Sequence, residues 1–471
     1  MSKLSIKVMT SLFITFLIFI MTINPVFACT TIIVGKNKAD DGSVMIAHSE
    51  ELGDNAAQIL VVVPRMTHEE GEVYESLSGA KIPQPKETYG YIASKIFDKE
   101  YYPGDITSGI NEYQVSVANN MTWTREVPED TAWDLIDGGI IWTEFTQLVL
   151  ETAIEGIQLV GELCEKYRLS GDPGTAFGIA DPNEGWFIEI AIDGQWIAKR
   201  VPDDGAFTMA NCYRIGEVNL EDKNILHSPD LVDYAVSKGW YDPKSGETFN
   251  FSKVYGDPDN QVDEYNTLRH KMVDSALINL KKVSKEDLMK LMRSTYEGTD
   301  KYKADEKTGS PFNTGIRTIS RLSTEISSVA QLRGWLPSEV GGVIWWNMGT
   351  SKTGVYVPWY YGTKEFPIPF THGTNKFTDN SAYWTYFDLT KLVGANYKDV
   401  IDIVTKKWTE FEANEIMMQR YVDSQALELL KQNKKEEAVN FLTWYSNALG
   451  ERSHEIAKEL IRELKTITYE E

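Results

Sequence analysis

The strongest constraint on this chain is a cysteine that stands directly after an export leader and directly before a strand. Residues 1–28 open with the basic run Met1-Ser2-Lys3-Leu4-Ser5-Ile6-Lys7. They continue through an apolar stretch from Val8 to Ile23, broken only by Thr10, Ser11, Thr15 and Thr22, and close with Asn24-Pro25-Val26-Phe27-Ala28. A positive n-region, an apolar h-region and small or branched residues at the two positions read by signal peptidase (Val26, Ala28) make a secretory signal. The apolar run falls short of the roughly 20 residues that a membrane span needs, and it ends at Pro25. The expectation is therefore an exported chain, secreted or held at the cell surface, with no membrane association once the leader is removed. The cut makes Cys29 the first residue. Thr30-Thr31-Ile32-Ile33-Val34 follows it, β-branched throughout, and reads as a core strand.

A cysteine in this place has two chemical uses. In a lipid-anchored binding protein the thiol carries an acyl chain and does no chemistry. Against that use stand Phe27, where lipoprotein signals favour a small residue, and a stiff strand where a lipid-tethered cysteine has a polar spacer. In an N-terminal nucleophile the thiol attacks a carbonyl. A thiol with a pKa of about 8.5 is mostly protonated at neutral pH, and a free α-amine at about 7.7–8.0 on the same residue is matched to serve as its base.

The run Cys29-Thr30-Thr31-Ile32-Ile33-Val34-Gly35, the turn Asp40-Asp41-Gly42 and the strand Val44-Met45-Ile46-Ala47-His48 read as a hairpin, continuing into Ser49-Glu50-Glu51. This segment resembles the start of the dipeptidase A-like cysteine dipeptidases, a family of N-terminal-nucleophile hydrolases distantly related to penicillin V acylases and bile salt hydrolases. It departs from the commoner pattern at one place: many relatives carry Arg and Asp near the end of the second strand, where this chain has His48 and Glu51. His48 is a candidate donor to the thiolate and Glu51 a candidate holder of the α-amine, while Glu50, on the opposite strand face, is expected to be solvated.

Further blocks keep the family's order. Gly109 to Asn120 resembles its Asn-Glu-x-x-Val strand, which implies that Asn119 or Asn120 donates to the oxyanion; alternation along the strand favours Asn119. Asn211, after the strand Phe207-Thr208-Met209-Ala210, is similar to a second site asparagine, and Arg214 to a nearby basic residue. The resemblance also implies an Arg near the nucleophile, for which Arg317 and Arg321 are candidates. Cys212 and Cys164 read as small core side chains.

The resemblance implies an α+β fold, a four-layer αββα sandwich, with a catalytic domain over residues 29–380 after the leader at 1–28. Apolar residues at three- and four-residue spacing predict a helix from Thr143 to Tyr167. Residues 220–315, polar and broken by Pro229, Pro243, Pro258 and Pro311, read as loops around one helix at about Glu286 to Tyr296. From 381 to 471 Gly and Pro nearly vanish, which predicts a helical extension packed on the sandwich or on a neighbouring subunit, so a homo-oligomer stays open.

Removing Lys3 and Lys7 with the leader leaves 45 basic against 69 acidic residues, a balance of −24 that repels phosphate backbones, so no nucleic acid is expected as a partner. Three cysteines are too few for a disulfide framework, and the six histidines are scattered singly. No metal-ligand motif, phosphate loop or Gly-x-Ser-x-Gly elbow occurs, so neither metal nor cofactor is expected. The expected activity is hydrolysis of dipeptides through a Cys29 thioester. An amidase or acylase of the same superfamily, with the same catalytic residues, is the alternative enzyme.

Overall fold

The computed structural model describes residues 29–470 except 52–56, 76–80, 98–105, 127–135, 138–149, 171–173 and 313. The expected leader (residues 1–28) and residues 143–149 of the expected long helix lie outside the described residues.

Fourteen strands build two antiparallel sheets. In chain order they are β1 (Thr30–Val34), β2 (Val44–Glu50), β3 (Gln58–Val63), β4 (Tyr91–Ile96), β5 (Ile106–Asn111), β6 (Ser116–Met121), β7 (Thr175–Ala180), β8 (Gly185–Ile190), β9 (Trp196–Arg200), β10 (Ala206–Met209), β11 (Ile225–His227), β12 (Ile326–Leu332), β13 (Gly342–Met348) and β14 (Val357–Tyr360). The six-stranded sheet runs β10-β1-β2-β12-β13-β14 and the eight-stranded one β11-β9-β8-β7-β6-β5-β4-β3. The hairpin read from sequence is present: β1 pairs with β2, Thr31 opposite His48 and Thr30 opposite Ser49, around a turn in which Gly42 takes φ +85°. Between β8 and β9, Asp193 and Gly194 both have positive φ, as a tight hairpin turn requires.

Side chains two apart share a face, so each strand divides its residues between two layers. Ile33 and Ile46 point between the sheets, where they meet Ala118, Ala176 and Phe187 of the eight-stranded sheet. Ile32, Val34, Met45 and Ala47 point outward, under Leu268 and Val273 of α2 (Glu264–Ile278) and Leu288 and Met292 of α3 (Lys285–Met292). On the far side, α1 (Ala153–Tyr167) lays Ile157, Val160 and Cys164 on Phe177, Ile179 and Ile188. The protein is thus an α+β, four-layer αββα sandwich. Helix α1 begins at a capping box, with Thr152 bonding the backbone of Glu155 and Glu155 returning to Thr152.

Residues 220–315 are more helical than the sequence reading expected. They hold helices at Leu231–Ser237, Phe251–Tyr255 and Pro258–Val262 as well as α2, and α3 ends at Met292 rather than near Tyr296. Helix α2 buries Asn266, Thr267, Arg269 and His270 beside Leu268 and Val273. A buried face that is half polar leaves no apolar stripe to read.

The C-terminal helices α4 (Ala382–Ala395), α5 (Tyr397–Lys431) and α6 (Lys435–Glu470) begin at a Ser381 cap and share their cores with the sheets. Asp423 of α5 pairs with Arg333 and accepts from Tyr360 Oη at 2.7 Å. The Cα of Gly450 on α6 sits so close to β14 that an added Cβ would lie 2.6 Å from Trp359 Cη2.

The two sheets approach closely along β1. A Cβ on Gly178 would sit 3.0 Å from Thr31 Cγ2, and one on Gly185 only 2.4 Å from Ile33 Cγ2. Gly185→Ala must therefore displace β1 or Ile33, at a cost of about 1–3 kcal/mol. The urea midpoint should fall with an unchanged slope; an unchanged midpoint would mean that the sheets do not meet at this point.

Candidate functional site

Cys29 precedes β1 and, by strand alternation, shares the inner face with Thr31 and Ile33. The hairpin register sets it beside Glu50 of β2, and the Cys29 thiol donates to Glu50 Oε1 at 2.9 Å. Glu50 Oε2 lies 3.0 Å from His48 Nε2, and His48 Nδ1 lies 2.9 Å from Thr31 Oγ1. Thr31 donates its hydroxyl proton across the sandwich to Asn120 Oδ1 of β6, 2.5 Å away. That hydroxyl has one proton, so the His48 contact must be an Nδ1–H donating to Thr31, which turns the Nε2 lone pair or a second proton toward Glu50. Cys29, His48 and Glu50 are all buried. Burial, then the charge of Glu50 and the hydrogen bond to it, pushes the Cys29 thiol well above its ordinary value, and the Glu51 backbone N–H pulls it down.

A second set of contacts holds Cys29 from the outer layer. Arg269 of α2, fully buried, donates through Nη1 to Cys29 O at 2.6 Å and to Thr30 Oγ1 at 3.0 Å, and through Nη2 to Asn211 Oδ1. Asn211 in turn donates from Nδ2 to Met121 O at 2.6 Å, which ties the end of β10 to the end of β6. Glu51 is buried outside this pair, 3.7 Å from Arg321 Nη1. Burial raises its carboxyl to about 7 against the opposing pull of Arg321, Arg269 and Arg317. Arg317 donates to Asn266 Oδ1 at 2.7 Å and stacks over Tyr265; burial, with Arg269 beside it, lowers it to about 9.

The structure sorts the residues expected from sequence. His48 faces the site but reaches the thiol only through Glu50. Glu50, expected in solvent, is 7% exposed and is the thiol's direct partner. Asn120, not Asn119, faces β1: Ala118 and Asn120 point between the sheets, whereas Asn119 turns away and donates to Thr175 Oγ1 at 3.2 Å. Asn120 Nδ2 is buried with no partner among the described residues, whereas Asn211 spends its carbonyl on Arg269 and an N–H on Met121. Arg317 and Arg321 gather around Glu51, behind Cys29. Arg214 does not join them; it donates to Thr208 O at 3.0 Å and Asp274 Oδ2 at 2.9 Å, bracing β10 against α2. Cys164 is in the core under α1, and Cys212 lies 3.7 Å from His270 Nδ1, whose pKa burial lowers to about 2.

Glu50, Thr31 and Arg269 were missed. The first two were accessible in principle, because pairing Thr30 with Ser49 sets Cys29 beside Glu50 and puts Thr31 on the same face. Arg269 gives no local signal, being one cation on a helix without an apolar stripe. Cys29, His48 and Glu50 place one ligand atom each within 4.8 Å of the others, a donor cluster that no sequence motif announces.

Comparison with known proteins gives the family. The profile of Peptidase family C69 matches residues 28–410. A probable dipeptidase of Salmonella dublin is 29% identical over 386 aligned positions, covering 75% of this chain and 86% of that protein. A probable dipeptidase of Latilactobacillus sakei is 26% identical over 471 positions, covering 93% and 95%, and a dipeptidase of Bifidobacterium longum is 28% identical over 436 positions, covering 80% and 79%. Among solved structures, a penicillin V acylase from Agrobacterium tumefaciens overlaps 70% of this chain and 86% of its own at 13% identity and a TM-score of 0.36, too loose to bear on the site. The chain belongs to peptidase family C69 and is a hydrolase of the cysteine-peptidase type.

Proposed function

We propose that this protein is an exported dipeptidase in which Cys29, freed at its amine by removal of residues 1–28, is an N-terminal nucleophile. The observation that carries the reading is the setting of Cys29: a buried thiol at the head of a core strand, hydrogen-bonded to Glu50 at 2.9 Å and facing the Asn120 side of the opposite sheet. The C69 relatives named as dipeptidases support the substrate class.

Two groups compete for the thiol proton. A carboxylate is ordinarily a far weaker base than an α-amine, and burial beside Glu50 holds the thiol above its ordinary value, so of the two acceptors the amine takes the proton at the smaller cost. The amine is the base, and Glu50 orients the thiol. In the first step Sγ bonds to the scissile carbonyl carbon, the proton moves to the Cys29 amine, and the carbonyl π pair becomes an oxyanion facing Asn120 Nδ2. Collapse breaks the C–N bond; the ammonium returns its proton to the departing amino acid, leaving a thioester. Water, deprotonated by the same amine, then attacks the thioester and releases the first amino acid and the thiol.

Secreted protein should have an intact mass that begins at Cys29. On a panel of dipeptides, N-acetyl dipeptides and tripeptides it should cleave the dipeptides, and Cys29→Ala should lower kcat/KM by about 10⁴-fold or more. Full turnover by material that still carries residues before Cys29 would overturn the reading. Asn120→Ala should lower kcat by about 10²–10³-fold with little change in KM, because its donor is used only in the transition state. Asn119→Ala should stay within a few fold of wild type, and equal losses in the two variants would sink the assignment of the oxyanion donor to Asn120.

A further inference from the structure

Cys29 Sγ, His48 Nε2 and a Glu50 oxygen lie within 4.8 Å of one another, all buried. Thiolate, imidazole and carboxylate are the ligand types zinc takes, whereas calcium and magnesium take oxygen alone. Tetrahedral zinc with ordinary bond lengths spaces such donors about 3.3–3.7 Å apart. Two of the separations here are hydrogen bonds of 2.9 and 3.0 Å, so a cation in place of the bridging protons needs side-chain adjustments and no movement of strands. The second layer of contacts also fits. A zinc-bound imidazole gives its other N–H to an oxygen, and His48 Nδ1–H does so to Thr31, which is itself anchored on Asn120.

Three ligands leave one position of a tetrahedron. If Cys29 is the first residue, which rests on the reading proposed above, its α-amine and thiolate close a five-membered chelate ring and supply that fourth ligand. We infer that the processed site binds one zinc ion through Cys29 Sγ, the Cys29 amine, His48 Nε2 and Glu50, and that this binding reversibly switches the peptidase off. The metal occupies the nucleophile's lone pair and the base's lone pair together, so no step of the hydrolysis can begin until it leaves.

The experiment uses processed protein stripped with a chelator and titrated with Zn²⁺ against a chromophoric competitor, alongside dipeptide turnover. One equivalent should bind with a Kd of about 1 μM or tighter. It should abolish turnover, and chelator should restore it. Co²⁺ should give a near-ultraviolet sulfur-to-metal charge-transfer band that Cys29→Ser lacks. Thr31→Val, which removes the acceptor of His48 Nδ1–H together with the bond to Asn120 and no zinc ligand, should weaken zinc binding about 10- to 100-fold, and protein retaining Ala28 should bind more weakly than processed protein. Turnover in chelator with no zinc bound at micromolar concentration overturns this inference and leaves the dipeptidase reading standing. Zinc binding unchanged in Cys29→Ser, or turnover that requires zinc, overturns it as well. Zinc binding by processed protein that cleaves no dipeptide would instead overturn the proposed function.

Discussion

The arrangement depends on one buried guanidinium. Arg269 is fully buried, and taking an ion out of water costs several kcal/mol unless its protons are matched. Its two terminal nitrogens are matched by the Cys29 carbonyl, the Thr30 hydroxyl and the Asn211 carbonyl, three acceptors from two neighbouring strand ends, while Nε has no partner among the described residues. Because Asn211 continues to Met121 O on the other sheet, this one side chain joins the helical layer, the six-stranded sheet and the eight-stranded sheet at the residue that carries the thiol. The Cys29 carbonyl is thereby clamped just before the strand pairing begins.

The inner face supplies the complementary half. Arg269 fixes backbone, whereas the sequence of contacts through Glu50, His48, Thr31 and Asn120 fixes the side chain and its proton. The two halves require each other. A 2.5 Å bond from Thr31 to Asn120 can form only where the sheets approach closely, and Gly178 and Gly185 allow that approach by leaving room for Thr31 and Ile33. Backbone close-packing two strands away therefore sets the tautomer of His48.

Much of this was legible from residues that act locally. The hairpin, the inner and outer faces of β1, the capped helix α1 and the helical C-terminal section follow from period-two and period-3.6 patterns that need no distant information. Cys29 stood out because leader and strand meet there. What failed were inferences about direction in space. Asn119 and Asn120 differ by one register step, and a count from a distant strand end could not decide which of them faces Cys29. Glu50 was expected in solvent, yet the phase of β2 turns it inward to the thiol, and Glu51 beside it is buried as well. Helix α2 was missed because its buried face is built around Arg269, Asn266 and His270, and a polar interior leaves no hydrophobic period to detect.

The surroundings of Glu51 also have a physical account. Positive charge reaches it from behind the sheet, on Arg269, Arg317 and Arg321, with Glu51 as the counter-charge among them. Three guanidinium groups against one carboxyl leave the local field positive, and the rise of Glu51 to about 7 despite them shows how strongly burial dominates there. Arg269 touches the Cys29 carbonyl, a single residue's backbone from the Cys29 nitrogen. On the N-terminal-nucleophile reading, a field of that sign disfavours an ammonium at that nitrogen and keeps the amine neutral and basic near pH 7. Glu50, on the inner face, acts in the opposite direction by raising the thiol. Glu51 also raises the thiol, more weakly, so the two carboxylates act together on the sulfur, and on the same reading the arginines around Glu51 act on the nitrogen; thiol and amine are both held in the neutral forms from which the first proton transfer starts.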